Sequence, residues 1–183
     1  MIYTADYPSP LGRIQIVSSP VEILSVQFVL TDHPIVAPPT SLLQNAVNQL
    51  DNYFKGKLKR FNLPLNFEGT QFQNKVWQAL QTIPYGETYS YRQIAGLIQS
   101  PQASRAVGGA CNKNRYIILL PCHRVIGQKG KLVGYAGGLK IKEALLLHEK
   151  EVKDSLNRFK MQGSVSHEGA KGTKVLNPQL QNR

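Results

Sequence analysis

The chain has 183 residues, which is enough for one ordinary domain or two small ones. Its hydrophobic fraction of 42% is typical of a soluble globular protein, and its net charge of +11 favours a polyanionic partner, nucleic acid first and an acidic membrane surface second. With only two cysteines, nothing suggests a disulfide framework, and no apolar run is long enough to cross a bilayer. The first residues lack the pattern of a signal peptide, so we expect a cytoplasmic protein. A basic surface with no partner remains the alternative.

The N-terminal third predicts strands and one helix. Polar and apolar residues alternate over 12–16, and 21–30 is rich in Val, Ile and Leu, as strands are. A loop with three prolines follows at 31–39, and apolar residues then recur at helical spacing from Leu42 to Phe54. Gly56 is predicted to end this helix, and 57–69 resembles an extended linker.

Helix-start signals dominate the second half. Thr70 with Gln73, and Ser90 with Gln93, are possible capping boxes at the starts of two helices. The pair at 100–101, a serine followed by a proline, suits the N-cap and first position of a third helix that reaches about 112. The second and third helices, joined by a tight turn, predict a helix-turn-helix. An apolar run at 116–120 predicts a buried, strand-like segment, and 139–150 predicts a last amphipathic helix.

The fold class is therefore α/β in the α+β sense, with two domains. A small strand-plus-helix domain is predicted at 1–66, and a mainly helical domain with the helix-turn-helix at 70–152. The polar remainder at 153–183 predicts a disordered tail. All candidate chemistry lies in the second domain, and the role of the first is open.

A cysteine and a histidine that follow the apolar run are the most informative residues. The box Pro121-Cys122-His123-Arg124-Val125 places a thiol at the end of that run, with an imidazole beside it. Thiol reactivity requires the thiolate, and a neighbouring base can remove the proton. Taken alone, the pair leaves open that Cys122 is a buried small hydrophobe. We interpret the other cysteine, Cys111, as structural because it lies inside the third predicted helix.

Several short motifs surround this box in a specific order and spacing. They are Phe72-Gln73-Asn74-Lys75-Val76-Trp77, Ile83-Pro84-Tyr85-Gly86-Glu87-Thr88, Ser90-Tyr91, Arg105-Ala106-Val107-Gly108-Gly109-Ala110, Asn114, Gly134-Tyr135-Ala136-Gly137-Gly138 and His148-Glu149. Together they closely resemble the O6-alkylguanine-DNA alkyltransferases, also called methylated-DNA–protein-cysteine methyltransferases. The resemblance implies a single-turnover DNA repair protein that moves the alkyl group of O6-alkylguanine irreversibly to its own cysteine. Its partner would be double-stranded DNA with an alkylated guanine, and O4-alkylthymine is a second candidate substrate.

Such a transfer needs a soft nucleophile, a proton donor for the leaving guanine, and a pocket for the flipped base. By resemblance, Cys122 is the nucleophile, His123 takes its proton directly or through a water, and Glu149 orients and stabilises the imidazolium. We therefore expect His123 and Glu149 to lower the pKa of Cys122. Without the resemblance, Glu149 is more simply a solvated carboxylate near a helix end.

The resemblance assigns four further residues. Asn114 would brace the turn that holds the nucleophile, although an ordinary C-cap explains it too; Arg115 follows it where the family usually has proline. Tyr91 would donate toward guanine N3, and the alternative is a half-buried helix tyrosine. Arg105 would enter the base stack, with Ala106 beside it in the minor groove. A solvated charge is the alternative for Arg105.

The base pocket and its chemistry complete the predicted site. Backbone groups of Tyr135, Ala136, Gly137 and Gly138 would line the pocket, and Ala136 stands where some relatives carry serine. Some family members hold a structural zinc in the N-terminal half, but no cysteine precedes Cys111 and the histidines lack zinc-type spacing. We expect no metal, no small-molecule cofactor and a monomer.

Two other classes of function stay open. A lesion sensor, or a helix-turn-helix DNA-binding module, would bind alkylated DNA without transfer. Alkyltransferase-like sensors carry tryptophan in place of the nucleophilic cysteine, whereas this chain has Cys122. A cysteine hydrolase also uses a Cys-His pair, but it offers no reason for the helix-turn-helix or the basic charge.

Overall fold

The computed structural model describes residues 1–30 and 40–165, with side chains as far as 159. The predicted loop at 31–39 and the part of the predicted tail beyond 165 lie outside the described residues. An antiparallel sheet forms the N-terminal unit in the order β1-β2-β3. Its strands are β1 Tyr3–Ser9, β2 Gly12–Ser18 and β3 Ile23–Phe28.

Helix α1, Ser41–Phe54, packs on one face of this sheet. The period of two in β2 directs Ile14 and Ile16 to that face, where both are fully buried. Thr40 caps the helix by accepting a hydrogen bond from Leu43 N at 3.2 Å, and Gly56, with φ +71°, follows its end. The predicted strands, helix and helix-ending glycine are confirmed.

The outer edge of β3 is covered by two later segments. Ile23 N donates to Pro64 O at 2.8 Å, which attaches the 57–69 linker to the sheet. Val26 N donates to Arg115 O at 2.7 Å. These bonds satisfy backbone groups that an open edge would expose. They also fasten the sheet to the chain just before Cys122.

The apolar run at 116–120 is buried as predicted, but it is not a strand. Tyr116 makes a single bridge to Val26, and the chain then turns, with Ile118 at φ +68°. A short apolar run reports burial and cannot distinguish a strand from a buried turn. The left-handed conformation of Ile118 is unusual for a β-branched residue.

The C-terminal unit begins with three helices: α2 Gln71–Leu80, α3 Tyr91–Leu97 and α4 Ser104–Asn112. Both predicted capping boxes are present, at Thr70 with Gln73 and at Ser90 with Gln93. The helices α3 and α4 pack against each other as the predicted helix-turn-helix.

The predicted start of α4 is wrong. The pair at 100–101 lies in the turn before the helix, which begins at Ser104 without a side-chain cap. Ser100 N donates to Ala95 O at 2.8 Å, and Ser100 O accepts from Ala103 N at 2.9 Å. The serine therefore closes α3 and forms the turn instead of opening α4.

The last helix, α5, is longer than predicted. It runs from Leu139 to Val165 instead of ending at 150. The fall in apolar residues after 150 indicates only that the buried face ends there. The helix continues because Glu, Lys and Arg have high helix propensity when exposed to solvent. An ion pair between Lys153 and Glu87 also ties this part of α5 to the segment before α3.

Two short elements carry and follow the cysteine. A 3₁₀ helix spans Cys122–Arg124, and β5, Val125–Ile126, pairs in parallel with β4, Tyr89–Ser90.

Buried side chains from both predicted domains form one continuous core cluster. Across residues 1–30 and 40–165, no helix combines the length and apolar character needed to span a membrane.

Candidate active site

Asn114 holds the turn that carries the thiol. Its Nδ2 donates to Leu120 O at 2.9 Å and to Cys122 Sγ at 3.0 Å, and its Oδ1 accepts from Tyr116 N at 2.8 Å. The side chain is buried, with 3% exposure, so these bonds do not compete with solvent. One amide therefore fixes both ends of the turn and the sulfur.

The thiol itself is neutral in this state. Burial raises the pKa of Cys122 to about 11, against the lowering effects of the Asn114 hydrogen bond and of the Lys142 charge. The expectation of a lowered pKa is wrong for the protein without DNA, because loss of water around the sulfur outweighs every favourable partner. Burial also raises the pKa of Cys111, to about 12. The sequence shows a base beside Cys122, but it does not show how completely the thiol is removed from water.

His123 pairs with Glu149 although 26 residues separate them. The ring nitrogen Nε2 lies 2.8 Å from Glu149 Oε1, and both side chains are fully buried. A carboxylate only accepts, so Nε2 carries the hydrogen and Nδ1 of the neutral ring keeps a free lone pair. Within the described residues this Nδ1 has no hydrogen-bond partner. Burial lowers the pKa of His123, against the raising effect of Glu149, so the ring is a neutral base.

The Glu149 carboxylate is the centre of a buried network. Arg124 Nε donates to Oε2 and Arg124 Nη2 to Oε1, each at 2.9 Å. Gly86 N donates to Oε2 at 2.9 Å, and the Tyr53 hydroxyl donates to Oε1 at 2.8 Å. Burial raises the pKa of Glu149, but the hydrogen bonds and charges of His123 and Arg124 outweigh it and hold that pKa well below its ordinary value. The alternative of a solvated carboxylate is therefore wrong.

A groove of about 440 Å³ runs between the helix-turn-helix and the 128–134 segment. Tyr91 and Arg105 both line it, as do Gly108 and Gly134. Its volume falls in the range of sites that take small molecules. Arg105 and its neighbour Ala106 are exposed on α4, which leaves both free to meet a partner.

Tyr91 forms a half-buried wall of this groove, and its hydroxyl donates to Val133 O at 3.1 Å. Burial raises its pKa to about 12, and the nearby thiols of Cys111 and Cys122 add to the effect. A phenol with this pKa stays protonated and acts as a hydrogen-bond donor.

The predicted pocket loop lies beside His123. The Tyr135 ring stands edge-on to the His123 ring, with centroids 6.5 Å apart, and its buried hydroxyl has no hydrogen-bond partner among the described residues. A Cβ on Gly137 would lie 2.9 Å from the Tyr135 ring and 3.2 Å from Phe28, so any larger residue there would force the Tyr135 ring to shift. Ala136 and Gly138 are exposed, and Gly138 adopts φ +88° before α5.

Three buried residues of this region had no role in the sequence-based site: Arg124, Lys142 and Tyr53. Lys142 Nζ donates to the carbonyls of Val125, Val133 and Gly134 at 2.6, 2.9 and 3.2 Å, and so ties the pocket loop to β5. A signal for Lys142 existed, since it shares the apolar stripe of α5 with Leu145 and Glu149. Tyr53 carried none, because a tyrosine in a helical apolar stripe is ordinary core.

Within the part of the chain that the structure describes, no group of three or more His, Cys, Asp or Glu side chains is arranged to hold a metal ion.

Models of known protein families match nearly all of the described chain. Residues 2–67 match the ribonuclease-like domain of 6-O-methylguanine DNA methyltransferase, and residues 71–151 match the DNA binding domain of the same family. A methylated-DNA–protein-cysteine methyltransferase of Methanosarcina acetivorans is 47% identical over 150 residues, which covers 79% of this chain and 96% of the relative.

Solved structures agree with these matches. The O6-methylguanine methyltransferase of Mycobacterium tuberculosis superposes with a TM-score of 0.74 at 41% identity, covering 82% of this chain and 94% of that one. The same organism's protein in complex with DNA superposes with a TM-score of 0.73 at 42% identity, covering 80% and 92%.

Proposed function

The chain belongs to the 6-O-methylguanine DNA methyltransferase family, and from this premise we propose that it repairs O6-alkylguanine in DNA by irreversible transfer of the alkyl group to Cys122. One observation carries the choice of acceptor. Asn114 holds the Cys122 sulfur at 3.0 Å, in a turn whose next residue, His123, is bound to a buried carboxylate. The other cysteine, Cys111, has no such base beside it in the chain.

The proton of the thiol passes to His123 when the alkylated base is bound. Nδ1 of the neutral ring is the free acceptor, and the proton reaches it directly or through a water. Glu149 stabilises the imidazolium that forms, as the carboxylate of a catalytic triad does. Because the pKa of Cys122 is about 11 at rest, the thiolate forms only as part of the reaction. The thiol is thereby protected from other electrophiles until a base is in place.

The bond changes balance without a cofactor. The Cys122 sulfur forms a bond to the alkyl carbon while the bond from that carbon to guanine O6 breaks. The leaving guanine gains negative charge, and the protonated Tyr91 hydroxyl is the donor toward its N3. The proton that His123 took from Cys122 then returns through water to the Tyr91 oxygen, so both side chains are neutral again. The net result is a thioether on the protein and a guanine with the former thiol proton in place of the alkyl group. A hydrolase would release the product and regenerate its thiol.

DNA binding falls to the helix-turn-helix, with the base flipped toward the groove beside α4. Arg105 enters the stack in place of the flipped base, and Ala106 allows close approach in the minor groove. Backbone groups of 135–138 line the base pocket, with Ala136 offering no side-chain hydroxyl. We further propose a cytoplasmic monomer with no metal or cofactor, and the two-domain division near 66–70.

A labelled duplex tests this function directly. After incubation with a duplex that carries O6-methylguanine, the intact protein should gain the mass of one methyl group, mapped to Cys122. A lesion sensor would bind the duplex without any change in mass. A cysteine hydrolase would process an excess of substrate and keep its original mass.

Arg105→Ala should slow repair of a paired lesion by roughly ten- to a hundredfold while leaving repair of the free modified base nearly unchanged. Extrusion of a base from a duplex costs a few kcal/mol, and only the duplex reaction needs the gap to be filled. Single-turnover rates on both substrates measure this. Lys113→Ala is the matched control, because it removes one exposed charge just after α4, outside the groove. Equal losses on both substrates would assign Arg105 to the pocket or the fold.

A further inference from the structure

Tyr53 connects the N-terminal unit to the proposed reaction centre. Its hydroxyl donates to Glu149 Oε1 at 2.8 Å, across 96 residues of sequence, and both side chains are fully buried. The same oxygen lies 2.8 Å from His123 Nε2. We propose that Tyr53 is a positioning residue for the transfer, which holds Glu149 Oε1 and so sets how strongly this carboxylate attracts the His123 ring. The inference rests on the proposed function.

The packing around Tyr53 fixes the position of its hydroxyl. His148 Nε2 lies 3.0 Å from Tyr53 O, and since a carbonyl only accepts, the imidazole donates. Four aromatic rings surround the phenol with centroids 5.2 to 5.9 Å away, those of Phe54, Phe61, Tyr85 and His148. The donor is therefore held at both its backbone and its ring, and needs no rearrangement during the reaction.

The hydrogen bond from Tyr53 to Glu149 affects the pKa of His123 in a definite direction. Burial and the charge of Glu149 raise the pKa of Tyr53 well above its ordinary value, so the phenol stays a donor. A donor to Oε1 stabilises the carboxylate and weakens its hold on the His123 N–H. Loss of this donor should therefore favour the imidazolium and raise the pKa of His123. The other titratable or charged groups around the pair are Arg124, Lys142, Cys122, Tyr85 and Tyr135.

Tyr53→Phe keeps the ring and removes the donor. We expect the acidic limb of the rate against pH, measured in single-turnover transfer from an O6-methylguanine duplex, to move up by about one pH unit. The rate should fall about tenfold on that limb and meet the wild-type rate at high pH. A residue that only supports the fold would lower the rate by one factor at every pH.

Tyr85→Phe is the matched control. Its hydroxyl is buried beside the same network but has no hydrogen-bond partner among the described residues. The ring that lies over Arg124 is retained in this variant. Its acidic limb should stay at the wild-type position, and an equal shift in Tyr85→Phe would overturn the proposal.

A second substitution keeps the test valid if Tyr53→Phe does not fold. Replacement of Tyr53 by 3,5-difluorotyrosine preserves the shape and strengthens the donor, so the acidic limb should move to lower pH. An unmoved limb in this protein would reject the role of Tyr53. Titration of His123 by ¹⁵N NMR without DNA tests the role of Tyr53 separately from the proposed methyl transfer. If the Tyr53→Phe protein shows a shifted His123 titration but the wild type takes up no methyl group, the transfer function is removed and only the control of the His123 pKa by Tyr53 is retained.

Discussion

Cys122→Ser should abolish methyl transfer, with a loss of at least about a thousandfold in the single-turnover rate. The serine hydroxyl is far less acidic and less nucleophilic toward carbon than a thiol, and burial opposes its ionisation further. Binding to the O6-methylguanine duplex should persist, because the proposed DNA contacts lie on α3 and α4. Intact-protein mass and a gel-shift titration measure the two properties separately.

Cys111→Ser is the control for that experiment. Both thiols are buried, but Cys111 sits inside α4, and burial raises its pKa to about 12. Its replacement makes the same chemical change without touching the turn that Asn114 braces. This variant should still gain one methyl group. A label on Cys111, or a retained label in Cys122→Ser, would contradict the assignment of the acceptor.

Glu149→Gln should have the next largest effect, on both stability and rate. The change leaves the buried Arg124 guanidinium without its anionic partner and removes the charge that supports the His123 imidazolium. Loss of one partner from a buried ion pair costs about 3 to 5 kcal/mol in the free energy of unfolding. We expect the transfer rate to fall at least about a hundredfold, as when a triad carboxylate is replaced by an amide. Urea titration and single-turnover kinetics give the two values.

The pH dependence of unfolding identifies Glu149 as the source of that loss. Its pKa in the folded protein lies below the ordinary glutamate value of about 4.3, so the charged carboxylate stabilises the native state above that pH. This stabilisation is lost as the pH falls below it. The wild type should therefore lose stability in acid more steeply than Glu149→Gln. Glu143→Gln, an exposed change on the same helix, should follow the wild-type curve.

A merely structural carboxylate would give a different pattern. Glu149→Gln would then lose stability, while the fraction that remains folded would transfer at the wild-type rate. Rates normalised to folded protein decide between the two. An undiminished normalised rate would remove Glu149 from the proton route and leave His123 to act alone.

Sequence signals that depend on neighbouring residues predicted the local structure well. The capping boxes at Thr70 and Ser90 report donors and acceptors within one helical turn, and both are present. The prediction that a helix starts at residue 100 was wrong, because the backbone N–H of this serine donates to Ala95 O and so closes α3. The predicted end of α5 at residue 150 was also wrong, because an exposed helix can continue on residues of high helix propensity without an apolar face.

The sequence by itself determined the family and the helix-turn-helix, and it predicted which residues react, because these depend on residue type and spacing along the chain. Only the tertiary structure decided how they act. It brought Glu149 to His123 and placed Tyr53, from the N-terminal unit, on the same carboxylate oxygen. It also decided that the Cys122 thiol is neutral at rest. Desolvation and long-range hydrogen bonds depend on how completely the chain packs around a group, and no local pattern of residues records that.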